Sequence, residues 1–84
     1  MLSWTPAPGA TYYNVQLYRS DPRKVLSLWP ATAGLQLKRT WRFEGRHYRL
    51  KPGKYRWFVW PGFGRRKAAR YGQMIGSGTF VVVR

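Results

Sequence analysis

Tyr12-Tyr13-Asn14-Val15-Gln16-Leu17-Tyr18-Arg19 carries apolar residues at every second position. Tyr13, Val15 and Leu17 fall on one side, and Asn14 and Gln16, with the amphipathic Tyr12 and Tyr18, fall on the other. A helix needs spacings of three and four, so period two predicts a half-buried strand. The same rule applied to Tyr55-Arg56-Trp57-Phe58-Val59-Trp60 turns Tyr55, Trp57 and Val59 inward and Arg56, Phe58 and Trp60 outward.

Moving away from these two strands, Leu2 and Trp4 alternate ahead of a Pro-x-Pro-Gly turn at 6–9. Lys24-Val25-Leu26-Ser27-Leu28-Trp29 forms a third run, closed by Pro30. Leu35, Leu37, Trp41 and Phe43 read as one further strand up to Glu44-Gly45, and Thr79-Phe80-Val81-Val82-Val83 as the last. Arg65-Arg66-Lys67-Ala68-Ala69-Arg70 lacks an apolar stripe and lies between glycines, so it reads as a loop with room for one turn of helix. Six short strands separated by Gly/Pro turns predict an all-β antiparallel sandwich or barrel, one domain over 1–84. Trp4, Tyr13, Val15, Leu17, Leu50, Tyr55, Trp57, Val59, Phe80 and Val82 are the expected core.

Composition narrows the function classes. The chain has 84 residues, and at this length only about 60–65% of the unfolded surface can be hidden, enough for one modest core. With 44% apolar and 18% aromatic residues it is expected to fold despite its charge. One Asp, one Glu, one His and no Cys leave no carboxylate pair, no two-histidine site and no thiolate zinc site. Gly62-Phe63-Gly64 and Gly76-Ser77-Gly78 lack the full spacing of a phosphate loop or a dinucleotide fingerprint. No catalytic site, no cofactor and no metal are expected. Neither a signal peptide nor a membrane span is read in the sequence, whose apolar runs are far shorter than the ~20 residues a span requires. Against the 2 acidic residues stand 16 Lys+Arg, a net charge of +14, and eleven of those cations are Arg. Such a surface attracts polyanions of any kind.

Leu2-Ser3-Trp4-Thr5-Pro6 followed by Gly9-Ala10-Thr11 and the 12–18 strand resembles the second and third strands of a fibronectin type III domain. Leu50-Lys51-Pro52-Gly53-Lys54-Tyr55-Arg56-Trp57-Phe58-Val59 is similar to that family's turn and sixth strand. Tyr55 follows Leu50 by five residues, one fewer than in animal members, which is similar to bacterial ones. Gly76–Val83 is similar to the seventh strand. The resemblance implies an immunoglobulin-like sandwich, with Leu50 capping the core and the Tyr55 hydroxyl bonded back to the backbone. It also implies a non-catalytic binding or spacer module of a bacterial surface or secreted protein, located outside the cell or in its envelope. The family's first strand has no counterpart ahead of Leu2. That departure leads to the expectation of a fragment of a longer chain, or of a domain completed by a partner strand in an oligomer.

The 61–72 segment is the expected contact surface. It places Arg65, Arg66, Lys67 and Arg70 within six residues, flanked by Phe63 and Tyr71. Interleaved cations and aromatics can follow an anionic polymer. Cell-wall polymer or acidic glycan is the leading partner, with a protein and nucleic acid behind it. The family's adhesion loop lies here too, although its Arg-Gly-Asp triplet is missing. The competing reading is a structural loop whose Phe63 and Tyr71 fold back on the sheet. A small basic nucleic-acid-binding β protein, such as a ribosome-associated one, is the alternative for the whole chain. Lys38–Arg49, rich in cations, reads as a solvated strand face, and His47 as a surface residue. Asp21 and Glu44 are expected in turns.

Overall fold

Two long strands, β2 (Tyr12–Arg19) and β7 (Gly53–Phe63), form the spine of the computed structural model, which describes residues 2–83. They pair antiparallel without a break from Tyr12 opposite Gly62 to Arg19 opposite Tyr55. On the far side of β2 lies β3 (Lys24–Leu28), whose register shifts between Leu17 and Tyr18. The irregularity lets two successive residues, Val25 and Leu26, both reach the interior, which a regular pleat forbids. The far edge of β7 is shared. Its first seven residues pair with β9 (Gly76–Val82), and its end pairs with β8 (Arg70–Tyr71).

A looser layer covers one face of this five-stranded sheet. In it β1 (Leu2–Ser3) pairs with β4 (Gly34–Leu35), and β5 (Thr40–Phe43) forms a hairpin with β6 (Arg46–Arg49). Leu2, Tyr13, Val15 and Val59 make one buried cluster between the layers, with Trp4, Leu35, Leu37 and Trp57 against it. Leu17, Val25, Leu26 and Tyr55 make the second, closed by Trp41, Tyr48, Leu50 and Phe80. Of the expected core, Tyr13, Val15, Leu17, Tyr55 and Val59 are buried, while Trp4, Leu50, Trp57, Phe80 and Val82 are half-buried. All the strand pairings are antiparallel, and the architecture is all-β.

The described residues hold nine strands where the sequence reading has six. The 35–43 run divides, because β1 gives β4 only two residues to pair with and Thr40 begins a separate hairpin. Glu44 (φ 51°) and Gly45 (φ 77°) both take the left-handed conformation, the geometry of a tight two-residue hairpin turn. Strand β7 runs on through Pro61, beyond the expected Tyr55–Trp60 run. Its missing N–H falls between the β9 and β8 ladders, and its carbonyl still accepts from the Gly72 N–H at 3.0 Å. At the other end of β7 the Tyr55 hydroxyl accepts from the Lys51 N–H at 3.1 Å and donates to its carbonyl at 3.4 Å. This closes the Lys51-Pro52-Gly53 turn onto the core.

Candidate polyanion-binding hairpin and outer sheet face

The expected loop at 61–72 is largely hairpin. Pro61 and Gly62 are buried members of β7, and β8 returns beside them, with Gly62 opposite Tyr71 and Phe63 opposite Arg70. Only 64–69 lies outside the ladder. Gly64 turns the chain in the left-handed region (φ 72°), a 3-10 turn spans Arg66–Ala68, and Ala69 ends it at φ 52°. Thr11 fixes the base of this tip: its hydroxyl donates to the Gly64 carbonyl at 2.7 Å and its N–H to the Gly62 carbonyl at 2.9 Å.

Arg65, Arg66, Lys67 and Arg70 are all exposed at the tip. The two flanking aromatics part company. Phe63 is half-buried, and its ring sits so close to Gly9 and Gly72 that a Cβ on either would lie 3.9 and 3.2 Å from it. It belongs with the scaffold, as in the fold-back reading. Tyr71 stands on the opposite face, 41% exposed, with its hydroxyl accepting from Trp29 Nε1 at 3.0 Å. The Arg66 guanidinium lies 5.7 Å from the centre of the Trp29 ring, close enough for a cation–π contact. Trp29 therefore joins the tip to β3. The sequence signal for it was slight: a Trp at the end of the third run, directly ahead of Pro30.

Beneath the tip, the Tyr12 ring meets the Tyr71 ring edge to face at 5.8 Å and covers Gly62. A side chain at Gly62 would collide with that ring, so glycine is required there by the close approach. Tyr12 is buried although it belongs to the outer side of β2, and among the described residues its hydroxyl has no hydrogen-bond partner. Burial, and then the neighbouring Tyr71 phenol, hold the Tyr12 hydroxyl above the usual tyrosine range, while Arg66 pulls the other way.

Further along the same outer face, Arg56 and Phe58 on β7 pair with Tyr18 and Gln16 on β2, and Trp60 pairs with Asn14. A chain of hydrogen bonds runs down β2: Tyr18 donates to Gln16 Oε1 (2.8 Å), and Gln16 Nε2 to Asn14 Oδ1 (2.7 Å). Asn14 Nδ2 in turn donates to Ser27 Oγ (3.0 Å) and the Leu28 carbonyl (3.2 Å).

A second group of cations, including Lys38, Arg39, Arg42, Arg46 and Arg49, is exposed around β5 and β6. There Arg42 Nε donates to His47 Nε2 at 3.0 Å across the hairpin. Positive charge is therefore distributed between the tip, the β5–β6 hairpin and the outer sheet face. The Arg23 N–H donates to Asp21 Oδ1 at 3.2 Å, the turn contact expected before β3. Among the described residues no three of His, Cys, Asp and Glu gather to hold a metal ion, and no helix is long and apolar enough to cross a membrane. Comparison with family models, with curated proteins and with solved structures finds no match.

Proposed function

We propose that this chain is a non-catalytic immunoglobulin-like β-sandwich module, similar to fibronectin type III domains, whose basic hairpin tip contacts an anionic polymer. The observation that carries the binding site is the tip itself. Arg65, Arg66, Lys67 and Arg70 project into water from a segment fixed by Thr11 on one side and by Trp29 and Tyr71 on the other. A fixed tip loses less conformational freedom on binding than a free loop carrying the same cations. The strand order β3-β2-β7-β9 and the Tyr55–Lys51 hydrogen bonds support the resemblance to the family. That resemblance carries with it a place in a bacterial surface or secreted protein.

The module also has an open side. Among the described residues β1 pairs only with β4, and a groove of about 600 Å³ lies beside it, lined by Leu2, Leu37, Leu50, Trp57, Phe80 and Val82. Trp4 Nε1 is buried with no acceptor among the described residues. A further extended segment laid along β1, supplied by another chain, gives that edge its missing partners.

Binding to an acidic glycan, to RNA and to duplex DNA across a salt series tests the tip. Affinity for the glycan that persists at moderate salt and falls about tenfold or more in Arg65→Ala/Arg66→Ala is the expected result. An unchanged double variant removes the tip as the site. Equal binding to all three polymers that vanishes by moderate salt reduces the effect to generic charge, and retention of RNA alone selects the nucleic-acid alternative.

A further inference from the structure

The solvent side of an antiparallel strand is ordinarily polar, yet β7 turns Phe58 and Trp60 outward next to Arg56. No described strand packs over them; the covering layer lies on the opposite face of the sheet. Their partial shelter comes from one another and from β2, with Tyr18 and Phe58 meeting edge to face at 5.6 Å and Phe58 and Trp60 tilted at 6.2 Å. Together with Met74, which is 47% exposed, they border an open groove of about 560 Å³. That is within the size range of small-molecule sites, roughly 300–1,000 Å³.

What the groove offers is selective. The neighbouring polar side chains are engaged with one another: Tyr18, Gln16, Asn14 and Ser27 bond in series along the sheet. Few directional groups are left for the hydroxyls of a sugar. Ring faces, a thioether, a guanidinium and the single hydroxyl of Ser20 remain. Aromatic faces and Met sulfur take a flat π-system with little demand on its substituents. The guanidinium takes a phosphate through its planar fork. Arg19 also borders the groove, but its guanidinium lies 5.7 Å from the Tyr48 ring, so Arg56 is the cation free to receive the anion.

We propose that this groove binds a nucleotide unit, with the base stacked against Phe58 and Trp60 and the phosphate on Arg56. Such a unit has two sources, a free nucleotide or one residue of a single-stranded nucleic acid. The site is separate from the hairpin tip and does not depend on it.

Amide NMR shifts of the full chain, titrated with AMP, adenosine, inorganic phosphate, a ten-residue oligo-dA and galacturonic acid, test the assignment. AMP is expected to move the amides of Tyr18 and 56–60 saturably, and adenosine to do so about tenfold more weakly. Arg56→Gln, at an exposed position, lowers AMP affinity about tenfold and leaves adenosine unchanged. Trp60→Leu abolishes both; because Trp60 is half-buried, Arg56→Gln carries the test if that variant fails to fold. Tighter binding of oligo-dA at the same amides identifies a single strand as the source, and AMP binding as tightly identifies the free nucleotide. The proposal is overturned if neither AMP nor oligo-dA moves these amides, or if galacturonic acid moves them equally. Loss of AMP binding in Arg65→Ala/Arg66→Ala overturns it too, by moving the site to the tip.

Discussion

Strands β2 and β7 pair along all eight residues of β2, whereas the layer facing them is held by a two-residue ladder and a four-residue hairpin. The interiors of the two layers differ in the same sense. Val15, Leu17, Tyr55 and Val59 of the large sheet are 0–2% exposed. In the facing layer Leu2 is buried, but Leu35, Leu37, Trp41 and Tyr48 are only half-buried. The contrast shows where the buried core resides. A continuous ladder buries its inner residues on both sides of each pair, so it can carry the hairpin tip at one end and an aromatic groove on its outer face without losing its core.

The largest effect is expected from a substitution that compares the layers directly. Leu17→Ala removes a side chain with no exposure and is expected to cost about 2–5 kcal/mol in urea unfolding. That is much of the stability a domain of this size has, roughly 5–15 kcal/mol. Leu37→Ala, in the facing layer and already partly in contact with water, should cost about 1–2 kcal/mol. Equal losses would break the comparison and place the two layers on the same footing.

How much of this was legible follows the same divide. The β2 and β7 strands were readable because Tyr13, Val15, Leu17, Tyr55, Trp57 and Val59 alternate strictly with outward residues, and both faces of the pairing are populated. Strand β6 was not. Arg46-His47-Tyr48-Arg49 has a single large apolar residue, so it presents no period, and its existence depends on the Glu44-Gly45 turn bringing it back against β5. The break in the 35–43 run was hidden for the opposite reason. The alternation continues through it, while the hydrogen bonds stop where β1 ends, and sequence periodicity reports side chains rather than partners. At the site, the grouping of Arg65, Arg66, Lys67 and Arg70 was visible. The separation of Phe63 from Tyr71 was not, because it follows from β7 continuing through Pro61, after which residues 63 and 71 fall on opposite faces of the hairpin. Trp29 joined the tip only through the antiparallel register that carries β3 toward β8.

An intermediate effect is expected at the open side of the facing layer. If β1 takes a strand from another chain, light scattering of the purified chain should give a mass above the monomer that rises with concentration, since the contact is intermolecular. A peptide of alternating apolar and polar residues, complementary to the groove at Leu37 and Phe80, should return the mass to one chain plus one peptide. A stable monomer that binds no such peptide would leave the weak layer complete as it stands, and the half-buried state of Trp57 and Phe80 would then be its final packing.

The smallest effect concerns a residue on which the two faces of the large sheet differ least. Tyr12 is on the outer side, yet it is more buried than Trp57 on the inner side, and among the described residues its hydroxyl lacks a partner. Leaving a buried hydroxyl unsatisfied opposes folding, so Tyr12→Phe should leave Tm unchanged or slightly raised at neutral pH. The pH dependence provides the sharper reading. In the unfolded chain Tyr12 loses its proton near pH 10, whereas burial and Tyr71 hold it on the folded chain to higher pH. The folded state therefore binds more protons in that window, and the stability Tyr12 contributes is fully present below about pH 10 and is lost as pH rises above it through the higher folded-state pKa. The Phe variant lacks this group, so its stability should fall less steeply above about pH 10 than that of the parent, the other five tyrosines being common to both. A variant that is less stable at pH 7, while keeping the shallower alkaline slope, would mean that the hydroxyl is bonded to Tyr71. The outer face at the hairpin base would then be held by a polar contact rather than by ring packing alone.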